Sequence, residues 1–301
     1  MQNQLDPPFF SVIVPTYNRA ERLKKTIESI LAQDFSNFEL LVVDDGSTDH
    51  TPQTIQALQH LDKRIVYLPK KNEERSVARN YGLKHAKGIY TVFFDSDDFM
   101  HANHLACFWK AIKANPDTRF FTTKFQISDG KHVQASHIAT WPEAHYGWEK
   151  LLEGNWYGTL LCIKREGKPL VPFPREFNIC EDWIFNLINL QESPIFVIDQ
   201  VTITVNDSLE RSMAQHQKVI DAKLRATVFL EKTLTLNDIQ KKTLWQNAYK
   251  LCMVHAYLLN DRPQALKYWK KVKSYTGLSK SLLISLLKLL IGKKNIDRLK
   301  V

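Results

Sequence analysis

The sequence predicts an α/β fold, a doubly wound and mainly parallel sheet followed by a helical C-terminal extension. In the first hundred residues four short runs, 9–14, 40–43, 65–68 and 89–94, are almost wholly apolar, as strands covered on both faces must be. Between them lie segments with apolar residues at helical spacing, of which Leu23, Ile27, Ile30 and Leu31 are the clearest. From about residue 208 onward the pattern is helical.

Taken in order, Thr51-Pro52 supplies an N-cap and first-turn pair for a second helix, and Val77 with Tyr81 marks a third. After a helix over 105–112 the pattern becomes mixed, with strands at 120–127 and 160–163 and a helix over 182–190. Segments 244–259 and 263–272 read as an antiparallel helical pair turned at Asn260-Asp261. The expected division is one domain over 1–205, with halves 1–100 and 101–205, and a helical region over 206–301 with a basic amphipathic tail.

Composition narrows the class. With 301 residues, 44% of them hydrophobic, and only 10 Gly and 12 Pro, the chain can bury a sizeable core. Cys107, Cys162, Cys180 and Cys252 are scattered, with no CxxC pair and no metal-ligand spacing, which suggests neither a disulfide framework nor a zinc site and fits a reducing, cytoplasmic compartment best. Residues 1–8 lack the basic-then-apolar pattern of an export signal, and no run reaches the roughly 18 apolar residues of a membrane span. The net charge of +9 is local: residues 262–301 hold eleven Lys and Arg against the single acid Asp297. The preceding 261 residues are therefore about one charge negative, and no nucleic-acid partner is expected.

In a doubly wound sheet, ligands bind beyond the carboxyl ends of the strands. The polar groups that end the predicted strands are Thr16-Tyr17-Asn18, Asp44-Asp45-Gly46-Ser47 and Asp95-Ser96-Asp97-Asp98. Asp, Gly and Ser also serve ordinary turns. Three carboxylates within four residues, however, repel one another unless a cation or hydrogen-bond donors hold them. Hard oxygen ligands select Mg²⁺ or Mn²⁺, ions that bridge a carboxylate to a diphosphate. Two acidic strand ends in one sheet would grip a nucleoside diphosphate from both ends. No GxGxxG follows a strand, and GxxxxGK[ST], HExxH and GxSxG are absent, which disfavours dinucleotide oxidoreductases, P-loop NTPases, zinc proteases and serine hydrolases.

Four blocks, Ser11-Val-Ile-Val-Pro-Thr-Tyr-Asn-Arg19, Leu41-Val-Val-Asp-Asp-Gly-Ser-Thr-Asp49, Asn72 with Ser76-Val-Ala-Arg-Asn-Tyr-Gly82, and Phe94-Asp-Ser-Asp-Asp98, occur in a familiar order and spacing. They resemble the family 2 glycosyltransferases of the GT-A fold, bacterial type. A fifth block, Glu181-Asp182-Trp183, resembles the acceptor-side acidic motif of that family. Similarity fades after about Val205, and Glu73 stands where the family often has glycine.

The resemblance implies inverting transfer of a sugar from a nucleotide-sugar donor, a UDP-sugar, to a hydroxyl of a glycan or lipid-linked acceptor, with Mn²⁺ or Mg²⁺, in cell-surface glycan synthesis. Residues 1–100 would bind the donor and 101–205 the acceptor. Asp45 is similar to the aspartate that accepts the uracil N3–H, with Pro15, Thr16 and Tyr17 bordering the base. Thymine shares that N–H, so dTDP-sugars stay open. Asn18, Asn72, Arg79 and Ser96 fall in the donor-side blocks. Asp95 and Asp97 match the two acids of the DxD motif; Asp97 is the better metal ligand, and Asp95 or Asp98 would hold ribose, sugar or a metal-bound water. Asp182 is similar to the catalytic base, and Glu181 would be its neighbour or an acceptor ligand.

Other readings fit less well. A sugar-nucleotide nucleotidyltransferase would carry a Gly-rich, basic phosphate loop near the N-terminus, which Pro15-Thr16-Tyr17-Asn18 is not. A non-catalytic scaffold has no need of Asp45, Asp97 and Asp182 together. Trp141, Trp148, Trp156 and Tyr157 could stack on a sugar, but large aromatics more often build core. The tail over 278–301 combines an apolar run with Lys280, Lys288 and Lys293-Lys294. Too short and too charged to span, it predicts peripheral binding to an anionic membrane surface, the inner face of the plasma membrane.

Overall fold

The computed structural model describes residues 7–207 and 212–292. The first half of the chain forms β1 (Phe10–Thr16), α1 (Ala20–Leu31), β2 (Phe38–Asp44), α2 (Thr51–Leu61), β3 (Ile65–Pro69), α3 (Glu74–His85), β4 (Tyr90–Phe93), β5 (Phe99–Met100) and α4 (His104–Ala114). There follow β6 (Phe120–Ser128), β7 (Val133–Ala135), β8 (Ala144–Tyr146), α5 (Lys150–Glu153), β9 (Cys162–Lys164), α6 (Glu181–Asn189) and β10 (Ile195–Asn206). The helices α7 (His216–Thr233), α8 (Asp238–Leu258), α9 (Arg262–Thr276) and α10 (Lys280–Ile291) complete it.

These elements make two compact units. The first, drawn from Met1–Trp148, Trp156–Asn178 and Phe185–Ser208, holds a mixed, mostly parallel sheet of order β3-β2-β1-β4-β9-β6-β10-β5, with β7 added to β6 and β8 to β10. The strands β3, β2, β1 and β4 are all parallel, and every residue of β1 and β2 is buried. The chain winds outward from β1 through β2 to β3 and returns to place β4 on the other side of β1. The crevice beyond the carboxyl ends of β1 and β4 is thus the switch point where this architecture binds ligands. Two polar side chains inside the sheet satisfy each other and the backbone: Ser11 Oγ donates to Glu39 Oε1 at 2.6 Å, and Glu39 accepts the N–H of Lys87 at 2.6 Å. Helix α3 lies close on the sheet because Gly82 has no side chain; a Cβ there would stand 2.5 Å from Ile13 Cγ2.

The second unit, drawn from Glu149–Asn155, Ile179–Ile184 and Leu209–Val301, is helical. It takes in α5 and the first turn of α6 as well as α7 to α10. Its core includes Ile220, Cys252, Tyr268, Trp269, Leu282 and Leu289. Local sequence sets its helix boundaries. Asn237 and Gln240 cap α8 reciprocally, Asp261 accepts the Gln264 N–H ahead of α9, and Ser279 accepts the Leu282 N–H ahead of α10. Asn260, at φ 60°, makes the turn between α8 and α9 in the left-handed region that Asn tolerates. Among the described residues no helix is long and apolar enough to cross a membrane. Lys293-Lys294 and the rest of 293–301 lie outside the described residues.

Candidate active site

Three loops meet at the switch point, and hydrogen bonds clip them together. Asn18, at φ 50° just past β1, donates its N–H to Ser47 Oγ at 2.9 Å and accepts the Thr48 N–H at 2.8 Å, joining the loop after β1 to the loop after β2. Arg19 N–H reaches Thr51 Oγ1 at 3.0 Å across the same seam. Gly46, at φ 79°, backs onto the next loop: a Cβ there would lie 2.8 Å from the Asn72 nitrogen. Pro15 and Thr16 are buried, whereas Tyr17 is 46% exposed at the rim.

The adjacent acids at the end of β2 have separate tasks. Asp44 accepts the Ser47 N–H at 2.9 Å and the Tyr67 hydroxyl at 2.9 Å, so it braces the loop. Burial, with the Asp44 hydrogen bond and charge, pushes the Tyr67 phenol up to about 12. Asp45 is 4% exposed, and its Oδ1 takes the Lys70 ammonium at 2.6 Å and the Glu73 N–H at 3.0 Å. Lys70 also meets Glu73 Oε2 at 3.2 Å.

At the end of β4 each outward acid faces an arginine. Arg79, buried in α3 and 5.4 Å from the Phe173 ring centroid, holds Asp95 at 2.9 Å. Burial opposes ionisation of Asp95, but the Arg79 charge and hydrogen bond outweigh it and hold the carboxyl below the ordinary range. Asp97 pairs with Arg19 at 2.8 Å. There burial prevails over the Arg19 charge, the Asp95 carboxylate adds repulsion, and the Asp97 carboxyl is pushed up. Ser96 is buried, with its Oγ 3.5 Å from Arg19 Nη1. Asp98 turns the other way: its carboxylate accepts the Asn206 N–H at 3.0 Å, and its carbonyl accepts the Thr26 hydroxyl at 2.8 Å.

Among the described residues no three acidic, histidine or cysteine side chains converge on one cation position. Asp95 and Asp97 nonetheless suit a Mg²⁺ or Mn²⁺ ion, which takes one or two carboxylates and completes its shell with water and substrate phosphate. Mutual repulsion between Asp95 and the partly desolvated Asp97 is what a divalent cation relieves.

The acidic pair opens α6 in the helical unit. Glu181 is buried. Asp182 is half-buried, its Oδ2 accepting the Asn155 side-chain N–H at 2.8 Å and its Oδ1 the Trp183 N–H at 2.7 Å. Cys180, directly before the pair, sits at φ 70°, a costly conformation for a residue other than glycine. Trp183 Nε1 donates to the Leu151 carbonyl at 2.7 Å.

Of the sequence-predicted residues, Pro15, Thr16, Tyr17, Asn18, Asp45, Asn72, Asp95, Ser96 and Asp97 stand at these strand ends and loops, Arg79 reaches Asp95 from within α3, and Asp98 is turned into backbone contacts. Sequence reasoning did not single out Arg19, Lys70 or Asn155. Arg19 was within reach, as the last residue of the first block; Lys70 and Asn155 carry no local signal.

Comparison with known proteins supplies the family. Residues 11–163, just over half the chain, match the family described as Glycosyl transferase family 2. An uncharacterized glycosyltransferase of Haemophilus influenzae is 32% identical over 192 residues, covering 62% of this chain and 74% of that protein. One from Rickettsia conorii is 40% identical over 128 residues, 42% of this chain; that match spans 21% of the relative's own length. Among solved structures, Staphylococcus aureus TarS 1-349 in complex with UDP-GlcNAc aligns with a TM-score of 0.68 at 21% identity, over 88% of this chain and 81% of that one. Mannosyltransferase PcManGT from Pyrobaculum calidifontis, in complex with GDP-Man and Mn²⁺, aligns with a TM-score of 0.63 at 19% identity, over 98% and 85%. The motif blocks, the sheet and these matches agree: the chain is a bacterial-type glycosyltransferase of family 2, with a GT-A fold.

Proposed function

We propose that the chain transfers a sugar from a UDP-sugar to an acceptor hydroxyl, with inversion, in the synthesis of a cell-surface glycan. The observation that carries this reading is the pair of acidic strand ends on either side of β1: Asp45 at β2, and Asp95 with Asp97 at β4. Asp45 offers a buried carboxylate to a base N–H, with Tyr17 at the rim as an aromatic face. Lys70 pairs with that carboxylate at 2.6 Å. Arg19, close to Asp97, is the cation on hand for a diphosphate. TarS with UDP-GlcNAc and PcManGT with GDP-Man and Mn²⁺ support a nucleotide-sugar donor of this kind.

In the reaction we infer, the acceptor oxygen forms a bond to the anomeric carbon while the bond from that carbon to the phosphate oxygen breaks. The electron pair leaves with the nucleoside diphosphate. Asp182 takes the acceptor proton, its carboxylate oriented by the Asn155 side-chain N–H on Oδ2 and the Trp183 N–H on Oδ1. Asp95 and Asp97 would hold the divalent cation, which supplies positive charge to the departing diphosphate. One displacement at carbon inverts its configuration.

A thermal-shift panel of UDP-, dTDP- and GDP-sugars, each with and without Mn²⁺, tests the donor assignment. The largest Mn²⁺-dependent stabilisation is expected with UDP-sugars, on the order of 2.7 kcal/mol at a hundredfold excess over Kd. A GDP-sugar giving the largest shift would overturn it.

A specific surface favours an additional reading, attachment to an anionic bilayer. On α10, Leu282 and Leu289 are buried, while Leu283, Ile284, Leu287 and Leu290 are exposed. This apolar face is accompanied by Lys280 and Lys288 on α10 and by exposed Lys267, Lys270, Lys271 and Lys273 on α9. Apolar burial and basic charge together suit an anionic bilayer interface, where each basic residue near the surface adds about 1 kcal/mol. The full chain should co-sediment with liposomes containing phosphatidylglycerol, less so as salt is raised. Residence in the supernatant at low salt would assign the face to a protein contact.

A further inference from the structure

A buried lysine outside the donor machinery sits on α7. The inward face of α7 carries Val219, Ile220, Ala226, Thr227 and Leu230, and Lys223 falls among them, 3% exposed. Lysine is almost never so deeply buried without a partner. Here the partner is an aromatic face: Lys223 Nζ lies 2.9 Å from the centroid of the Trp183 ring.

Trp183 directly follows Glu181 and Asp182, so what fixes its ring fixes the first turn of α6. The same turn is fastened at the indole nitrogen by Leu151, at Asp182 by Asn155, and begins from the strained Cys180. A strained residue persists only where its surroundings over-determine it. We propose that Lys223 is a positioning residue for the Glu181–Asp182 pair, holding the Asp182 carboxylate in place through its grip on the Trp183 ring. This rests on Asp182 being the base.

Titration of Lys223 gives the idea a distinctive signature. Burial pushes its ammonium down to about 8, against the favourable influence of Cys180, Cys252 and Asp182, the titratable groups facing it. Burial pushes both thiols up to about 12, so they stay neutral when Lys223 loses its proton. The cation–π grip therefore weakens as pH rises through about 8. Stability moves the opposite way. The native group titrates below the ordinary lysine value of 10.5, so between the two values the unfolded chain binds more protons and this group's contribution to stability rises with pH. Loss of function without loss of folding separates positioning from general destabilisation.

The experiment follows UDP release, with water as acceptor, from the UDP-sugar that the thermal panel selects, with Mn²⁺, across pH 6.5–9.5. Wild-type kcat should fall through about pH 8 while the melting temperature holds. Lys223→Met keeps the stem and removes the charge. Its kcat should be about thirtyfold lower, the weight of a desolvated cation–π contact, with donor KM unchanged and no alkaline limb. A flat wild-type profile overturns the proposal, and that measurement needs no variant to fold. Wild-type kcat in Lys223→Met together with a slow Asp182→Asn overturns the positioning role and leaves the base assignment standing. Wild-type kcat in both variants overturns both.

Discussion

Asp97→Ala is expected to lose the Mn²⁺-dependent part of UDP binding, with a fall of at least about 100-fold in affinity at saturating Mn²⁺. Removing a mere supporting partner of a metal ligand already costs about 10–100-fold, and a ligand itself should cost more. The substitution also releases Arg19, which is held at 2.8 Å by Asp97. A guanidinium set free beside a diphosphate site strengthens attraction for the phosphates, so metal-free UDP binding should persist or tighten. Calorimetric titration of UDP with and without Mn²⁺ reads both effects. An unchanged Mn²⁺ increment in the variant would remove Asp97 from the metal site.

Asp182→Asn is expected to slow transfer by about 10²–10⁴-fold, the usual worth of a positioned general base, while donor affinity stays close to wild type. The carboxylate accepts two N–H donors, from Asn155 and Trp183, and an amide can accept only with its one oxygen. Losing one such bond to a charged acceptor costs about 1.5–3 kcal/mol, roughly 10–150-fold, so its share has to be separated from the loss of basicity. Asn155→Ala removes the same bond and leaves the Asp182 carboxylate itself intact, which makes it the control. Pre-steady-state transfer rates within a few-fold of wild type for Asp182→Asn would hand the role to another group.

The fold was legible because its first half obeys local rules. Residues buried on both faces of a parallel strand must be apolar, and β1 to β4 fall within two residues of the four apolar runs. The strand ends followed, since carboxylates crowded within four residues repel one another unless a cation or hydrogen-bond donors hold them. Strands β5, β7 and β8, two or three residues each, were not legible: their pairing is set by β6 and β10, far away in sequence. The same limit applied at the site. Asp98 reads like its neighbours but spends its carboxylate on the backbone of Asn206, 108 positions away. Lys70 and Asn155 find their partners 25 and 27 positions distant, beyond any periodicity. Lys223 did leave a trace, a charge on the apolar face of α7, which is the kind of local conflict that marks strained or functional positions.

The membership of the helical unit has a consequence for recombination. A chimera joined just after β10 would keep the sheet, the acidic strand ends and the Glu181–Asp182 pair of one parent, yet give the Trp183 ring a foreign helix in place of α7. Parents that trade these helices exchange the support of the first turn of α6 along with whatever surface the helices present. Crossover points that respect the chemistry therefore have to carry residues 149–155 and 179–184 together with 212–292, as a discontinuous cassette. The same linkage predicts how the region diversifies: changes at Lys223 and Trp183 are coupled, whereas the exposed face of α10 is free to vary with its partner surface.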